Sequence, residues 1–127
     1  MSEIRTLIVD DSSVMRKIVE RALRQAGLDP LVVHEASSGI EGLDVLRAKQ
    51  VDLILSDINM PSMDGLEFLR QIQAQNLAPG VPVVMITTES REEHVKQAIQ
   101  AGARGYIRKP FTAEQVKERV LPLVHAA

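Results

Sequence analysis

Thr6-Leu7-Ile8-Val9-Asp10-Asp11-Ser12-Ser13-Val14-Met15 reads as the end of a buried strand, an acidic turn and the start of a helix. Leu7-Ile8-Val9 carries no polar side chain to show to water, which suits a strand of a parallel sheet covered on both faces. Past the turn, Val14, Ile18 and Ala22, together with Met15, Val19 and Leu23, recur at helical spacing, and Gly27 is placed to end the helix. A buried strand running straight into an amphipathic helix is one unit of an alternating α/β fold.

The unit recurs along the chain. Leu31-Val32-Val33 is followed by a helical face of Ile40, Leu43 and Leu46. Leu53-Ile54-Leu55 leads through a loop punctuated by Pro61, Asp64 and Gly65 into Leu66, Leu69 and Ile72. Val83-Val84-Met85-Ile86 precedes Val95, Ala98 and Ile99, stopped by Gly102, and Tyr106-Ile107 precedes Val116, Val120 and Leu123. Five strand-helix pairs in 127 residues predict a single α/β domain over residues 1–127, doubly wound around a parallel sheet. Aromatic residues are only 2% of the chain, so an aliphatic core is expected.

Composition narrows the function classes. The absence of cysteine removes disulfides and thiolate zinc sites and fits a reducing compartment, so a cytoplasmic location is expected. Met1-Ser2-Glu3-Ile4-Arg5 does not open a signal peptide, and no apolar run approaches the ~18 residues of a membrane span, so neither secretion nor membrane insertion is expected. The net charge of −2, with Lys and Arg dispersed, lacks the footprint of a nucleic-acid binder.

In open parallel sheets ligands bind beyond the carboxyl ends of the strands. The residues there are Asp10-Asp11 after the first strand, Asp57 after the third, Thr87 at the end of the fourth and Lys109 after the fifth; the second strand ends in Ala36-Ser37. Taken singly each has a bland reading: Asp10-Asp11 before Ser12-Ser13 as a helix cap, Asp57 as a turn residue before Pro61, Thr87 as a strand-end hydroxyl. As an ordered set at four of five strand ends they make a site. Three carboxylates against one ammonium leave excess negative charge, which a divalent cation would neutralise. The donors are all oxygens, favouring a hard ion such as Mg²⁺ over zinc. A carboxylate is ionised at neutral pH and needs no general base, so Asp57 could attack phosphorus directly and form an aspartyl phosphate. Thr87 and Lys109 are suitable donors to phosphoryl oxygens.

These residues resemble the response-regulator receiver family. The resemblance rests on Val9-Asp10-Asp11-Ser12, Asp57-Ile58-Asn59-Met60-Pro61-Ser62-Met63-Asp64-Gly65, Thr87, Ala101-Gly102-Ala103 and Lys109-Pro110-Phe111, and spans about residues 4 to 124. The length, Ser12-Ser13-Val14-Met15-Arg16, Asn59, Glu89 and Tyr106 are most similar to the stand-alone, chemotaxis-type (CheY-like) members. The family implies a flavodoxin-like (βα)5 fold with strand order 2-1-3-4-5, which brings Asp10, Asp11 and Asp57 together at the switch point. It implies that Asp57 takes phosphate from a phosphohistidine on a sensor histidine kinase. It also implies that Asp11, Asp57 and the Asn59 backbone carbonyl bind Mg²⁺, with Asp10 joining the metal set through water. Thr87 and Lys109 would then contact the phosphate, Asn59 and Glu89 would modulate hydrolysis, and the Lys109-Pro110 peptide would be cis. Thr88 departs from the smaller residue usual in the family and could slow the access of large phosphodonors.

Tyr106, the single tyrosine, opens the strand beside Thr87. A hydroxyl drawn toward phosphate would leave room for the ring to turn inward, remodelling the face made by the helix around Arg91 to Ala101, the fifth strand and the last helix. With no output domain expected after that helix, a downstream protein would read this face. A receiver excised from a longer regulator fits the same residues. An Asp-nucleophile phosphatase of the haloacid dehalogenase type needs an acid where Asn59 stands, and a flavodoxin-type cofactor domain needs donors where Asp10-Asp11 stands. A pseudo-receiver acting only in binding would have no use for the complete acceptor set.

Overall fold

The computed structural model describes residues 3–88 and 91–125. Strands β1 (Ile4–Val9), β2 (Leu31–Ala36), β3 (Leu53–Ser56), β4 (Val83–Thr87) and β5 (Gly105–Arg108) alternate with helices α1 (Ser13–Gln25), α2 (Gly39–Ala48), α3 (Gly65–Ala74), α4 (Glu92–Gln100) and α5 (Ala113–His125). All strand pairings are parallel, in the order β2-β1-β3-β4-β5. This is the expected flavodoxin-like arrangement. The runs in β3 and β4 lie inside the sheet and are buried throughout, whereas β2 and β5 are edges and are buried in part.

Alternation along the strands sends side chains to two cores. Leu7, Val9, Ile54, Val83 and Met85 face α2, α3 and α4, while Ile8, Leu53, Leu55, Val84, Ile86 and Ile107 face α1 and α5. The first core is not purely aliphatic: Phe68 on α3 is fully buried at its centre. Gly42 makes this fit, because a Cβ there would stand 2.8 Å from the Phe68 ring. Truncating so deeply buried a ring costs about 3–5 kcal/mol.

The helical faces correct the periodicity at several points. On α1, Val19, Ala22 and Leu23 are buried, but Val14 and Ile18 are 68% and 43% exposed. The two apolar rows converge on the sheet only in the C-terminal half of the helix, at Val19, Ala22 and Leu23. On α2, Leu43 and Leu46 are buried and Ile40 is exposed; on α4, Ala98 is buried and Ile99 is exposed. The helices end largely as expected. Ala26 is the C-cap of α1 with Gly27 next at φ +102°, and Gly102 follows the Ala101 cap of α4 at φ +111°, left-handed conformations that favour glycine. Capping also explains the starts. Ser12 Oγ accepts from Met15 N and Asp64 Oδ1 from Glu67 N, while Ser38 Oγ accepts from Glu41 N as the Glu41 carboxylate reaches back to Ser37.

Candidate functional site

The site follows from strand register. Val9 is paired with Ser56 and with Ala36, so the next residues, Asp10 and Asp57, leave the sheet side by side. Their backbones remain tied to it: Asp57 N donates to Val9 O at 3.0 Å and Asp10 N to Ala36 O at 3.1 Å. Lys109 reaches the same place from the far edge, its own N–H donating to Thr87 O at 2.9 Å, and the Lys109-Pro110 peptide is cis as the resemblance implied. A second cis peptide, Asp29-Pro30, was not foreseen.

Lys109 Nζ bridges the two carboxylates, 2.7 Å from Asp10 Oδ2 and 3.0 Å from Asp57 Oδ2. The three side chains are at most 10% exposed, so solvent screens them little. Burial opposes the Lys109 charge, but hydrogen bonds to Asp10 and then Asp57 outweigh it and raise its pKa above the ordinary lysine value. The other oxygens are held by backbone amides: Asp10 Oδ1 accepts from Ser12 N at 2.9 Å and Asp57 Oδ1 from Asn59 N at 3.1 Å.

Asp11 is the exposed member of the acid set, and no hydrogen bond to its carboxylate is made among the described residues. Ligand oxygens of Asp10, Asp11 and Asp57 lie within 4.8 Å of one another. Mg²⁺ draws its oxygens roughly 3–4 Å apart, given bonds of about 2.1 Å, so a small rotation of exposed Asp11 suffices and the donor set fits this ion. Beneath the pair only a cavity of about 10 Å³ remains, lined by Ile8, Val19, Leu55 and Ile86 among others. A cation therefore has to approach from the solvent side, where Asp11 stands.

The remaining predicted residues divide. Thr87 is fully buried at the end of β4. The pairings Met85 with Tyr106 and Thr87 with Arg108 put Thr87 and Tyr106 diagonally on the face covered by α4, where Tyr106 is partly buried against the core. Asn59 and Thr88 are exposed at the rim. Glu89 lies outside the described residues.

Two contributors were not read from the sequence. A Cβ on Gly65 would overlap the Asp57 carbonyl and press on Ile58 Cα, so this glycine lets α3 start against the acceptor's backbone, a contact that neither loop punctuation nor the motif it closes reveals. Arg16 Nη1 donates to the Asp10 carbonyl at 2.6 Å while its Nε pairs with Glu35 at 2.9 Å. Arg16 stands in the Ser12–Arg16 stretch, but no local pattern announces contacts to the turn after β1 and to β2.

Comparison with known proteins agrees with this geometry. The family described as "Response regulator receiver domain" matches residues 6–121. Chemotaxis protein CheY-3 of Vibrio cholerae is 42% identical over 117 residues, covering 92% of this chain and 88% of that protein. Chemotaxis protein CheY of Pseudomonas aeruginosa is 38% identical over 117 residues, covering 92% and 93%. Among solved structures, CheY4 of Vibrio cholerae superposes with a TM-score of 0.85 at 33% identity, covering 96% of this chain and 99% of that one. A CheY-like receiver domain protein from Methanospirillum hungatei gives 0.86 at 29% identity, covering 98% and 96%. No described helix is long and apolar enough to cross a membrane. Phosphorylation-dependent switching and Mg²⁺ binding at an acidic pocket are general to these receivers. With the family matched over nearly all of its length and the acid pocket assembled from its strand ends, the chain belongs to the response regulator receiver domains as a CheY-like member.

Proposed function

We propose that Asp57 accepts a phosphoryl group from the phosphohistidine of a sensor kinase, and that the chain acts as a chemotaxis-type switch on a downstream protein. The observation that carries this reading is the single ammonium of Lys109 shared by two buried carboxylates from different strands. Such an arrangement costs desolvation and is a poor way to stabilise a fold. It is a suitable way to pre-position one nucleophile and one cation around an incoming phosphoryl group.

In the transfer, an Asp57 carboxylate oxygen attacks phosphorus, the phosphorus–nitrogen bond breaks, and the imidazole leaves with the electron pair and takes a proton. Asp57 is held for this by Asn59 N on its other oxygen. Lys109 is already at the oxygen edge and can follow the charge to the phosphoryl oxygens, with the Thr87 hydroxyl as a second donor. Asp10, Asp11, Asp57 and the Asn59 carbonyl would hold Mg²⁺, which when bound supplies neutralisation of the developing charge. Hydrolysis reverses the modification: water attacks phosphorus, inorganic phosphate leaves and the carboxylate returns. Asn59 at the exposed rim, with Glu89, would influence the path of that water.

Support for the output face is the shared side of the sheet on which Thr87 and Tyr106 lie. A Thr87 hydroxyl drawn to phosphate shifts the packing next to Tyr106, and a partner that prefers the resulting α4-β5-α5 surface would in turn favour phosphorylation. Mass spectrometry of the intact protein with a small phosphodonor tests the core of the reading. One added phosphoryl group is expected with Mg²⁺ and none in excess chelator or in Asp57→Asn; full labelling of that variant would overturn it.

A further inference from the structure

We propose that Arg16 is a positioning residue for the metal site, fixing the peptide that joins its two adjacent carboxylates, and that Glu35 anchors Arg16 for this purpose. The inference rests on the reading of Asp10, Asp11 and Asp57 as the Mg²⁺ site.

The Asp10 carbonyl and the Asp11 amide belong to one planar peptide. The guanidinium of Arg16 donates to that carbonyl at 2.6 Å, so it sets the plane from which Asp11 departs. Every polar group of Asp10 is then held: N by Ala36, Oδ1 by Ser12 N, Oδ2 by Lys109 and the carbonyl by Arg16. Among the described residues Asp11 has no hydrogen bond on its carboxylate, and its direction is inherited from this peptide. If the plane turned, the exposed acid would swing away from its neighbours.

Arg16 is held in turn from the edge strand. Glu35 Oε1 accepts from Arg16 Nε at 2.9 Å and Oε2 accepts from Lys17 Nζ at 2.9 Å. Arg16 is 15% exposed, whereas Lys17 is 65% exposed and has no bond to the acid turn. A planar guanidinium can hold a carboxylate and a carbonyl together; a lysine ammonium is a single point. The side chain thus links β2, α1 and the turn after β1 through one rigid group.

Position and charge predict opposite signs. A cation close to a Mg²⁺ site disfavours the ion, so on charge alone the loss of Arg16 should tighten binding. Loss of a hydrogen bond that orients the ligands weakens it, typically 10- to 100-fold.

The test is a Mg²⁺ titration of the unphosphorylated protein followed by the backbone amide resonances of Asp11 and Asn59, with thermal unfolding recorded alongside. Arg16→Ala is expected to raise the Mg²⁺ dissociation constant about tenfold, Arg16→Lys is expected not to restore it, and Lys17→Ala is expected to leave it unchanged or lower. Unchanged or tighter binding in Arg16→Ala would overturn the inference, as would full rescue by Arg16→Lys. Should Arg16→Ala fail to fold, Arg16→Gln, which also removes the charge, is read by the same titration, where weakening supports the inference and an unchanged or tighter constant overturns it; an unchanged constant in Glu35→Gln overturns the anchor. If the wild-type protein itself does not bind Mg²⁺, the reading of the pocket fails, an outcome separate from the failure of Arg16 alone.

Discussion

Gly65 lies so close to Asp57 that a Cβ on the glycine would overlap the Asp57 carbonyl oxygen, while Gly65 N donates to Ile58 O at 2.7 Å. Helix α3 therefore begins directly against the backbone of the proposed acceptor. Gly65→Ala is expected to destabilise the fold by about 1–3 kcal/mol, the usual cost of overpacking a close contact. Urea denaturation measures this, and the Asp57 and Ile58 amide resonances should shift more than those of α5. A neutral alanine would show that α3 can back away freely.

Removing Lys109 leaves Asp10 and Asp57 facing each other without their shared cation. In Lys109→Ala the Mg²⁺ affinity is expected to be retained or to rise, because a competing positive charge is gone. The conformational response to phosphorylation at Tyr106 is expected to disappear. A metal titration and amide spectra with a phosphate mimic check both; an unchanged response removes Lys109 from the switch.

Thr6 is fully buried in β1, and its hydroxyl is the one buried side-chain polar atom without a hydrogen-bond partner among the described residues. Burying an unpaired hydroxyl costs about 1–3 kcal/mol. Thr6→Val, of nearly the same shape, is expected to stabilise the protein by about 1 kcal/mol, seen as a higher urea midpoint at constant slope. A lower midpoint would mean that the hydroxyl has a partner in solution.

Three carboxyl groups outside the site are held below their ordinary values. Hydrogen bonds from Lys17 and then Arg16 act on Glu35, those from the Ser37 hydroxyl and amide on Glu41, and those from the Arg5 side chain and amide on Asp52. Because the folded values are depressed, the unfolded chain takes up protons first as pH falls. Their contribution is complete above about pH 5 and is lost on acidification through the folded values. Thermal scans from pH 7 downward are expected to show a level melting temperature and then a decline below about pH 4. Glu35→Gln/Glu41→Gln/Asp52→Asn should flatten that decline.

A phosphate mimic is expected to shift the amides of 87–88, 91–102 and 105–120 more than those of α2. Heteronuclear spectra with and without the mimic give the comparison. Equal shifts everywhere, or shifts confined to the turns touching Asp57, would exclude the α4-β5-α5 surface as the output.

The sheet was readable from the sequence because buried parallel strands leave unbroken apolar runs, as in Leu53-Ile54-Leu55 and Val83-Val84-Met85-Ile86. The strand order itself came from the resemblance to a family. Helical periodicity shows that an apolar face exists but not how far around or along the helix its contact with the sheet extends, hence the exposed Val14, Ile18, Ile40 and Ile99. Asp10, Asp57, Thr87 and Lys109 stood out because parallel topology gathers whatever follows the strands. Arg16 and Gly65 did not, since their roles exist only in contacts: Glu35 is 19 residues from Arg16, and the glycine matters through the peptide it touches.

Lys109 is 99 residues from Asp10 along the chain and 52 from Asp57. Contacts of such sequence separation form late and slowly. During synthesis, β1, α1, β2 and β3 emerge well before the lysine that balances the acid pair has been translated. An incomplete chain would place two carboxylates at the ends of β1 and β3 with no ammonium between them, and their repulsion would oppose the close approach seen in the finished pocket. The charge balance of the pocket thus depends on the last strand being made and docked, so a nascent or truncated fragment would meet the repulsion of the acid pair without the ammonium that offsets it in the finished protein.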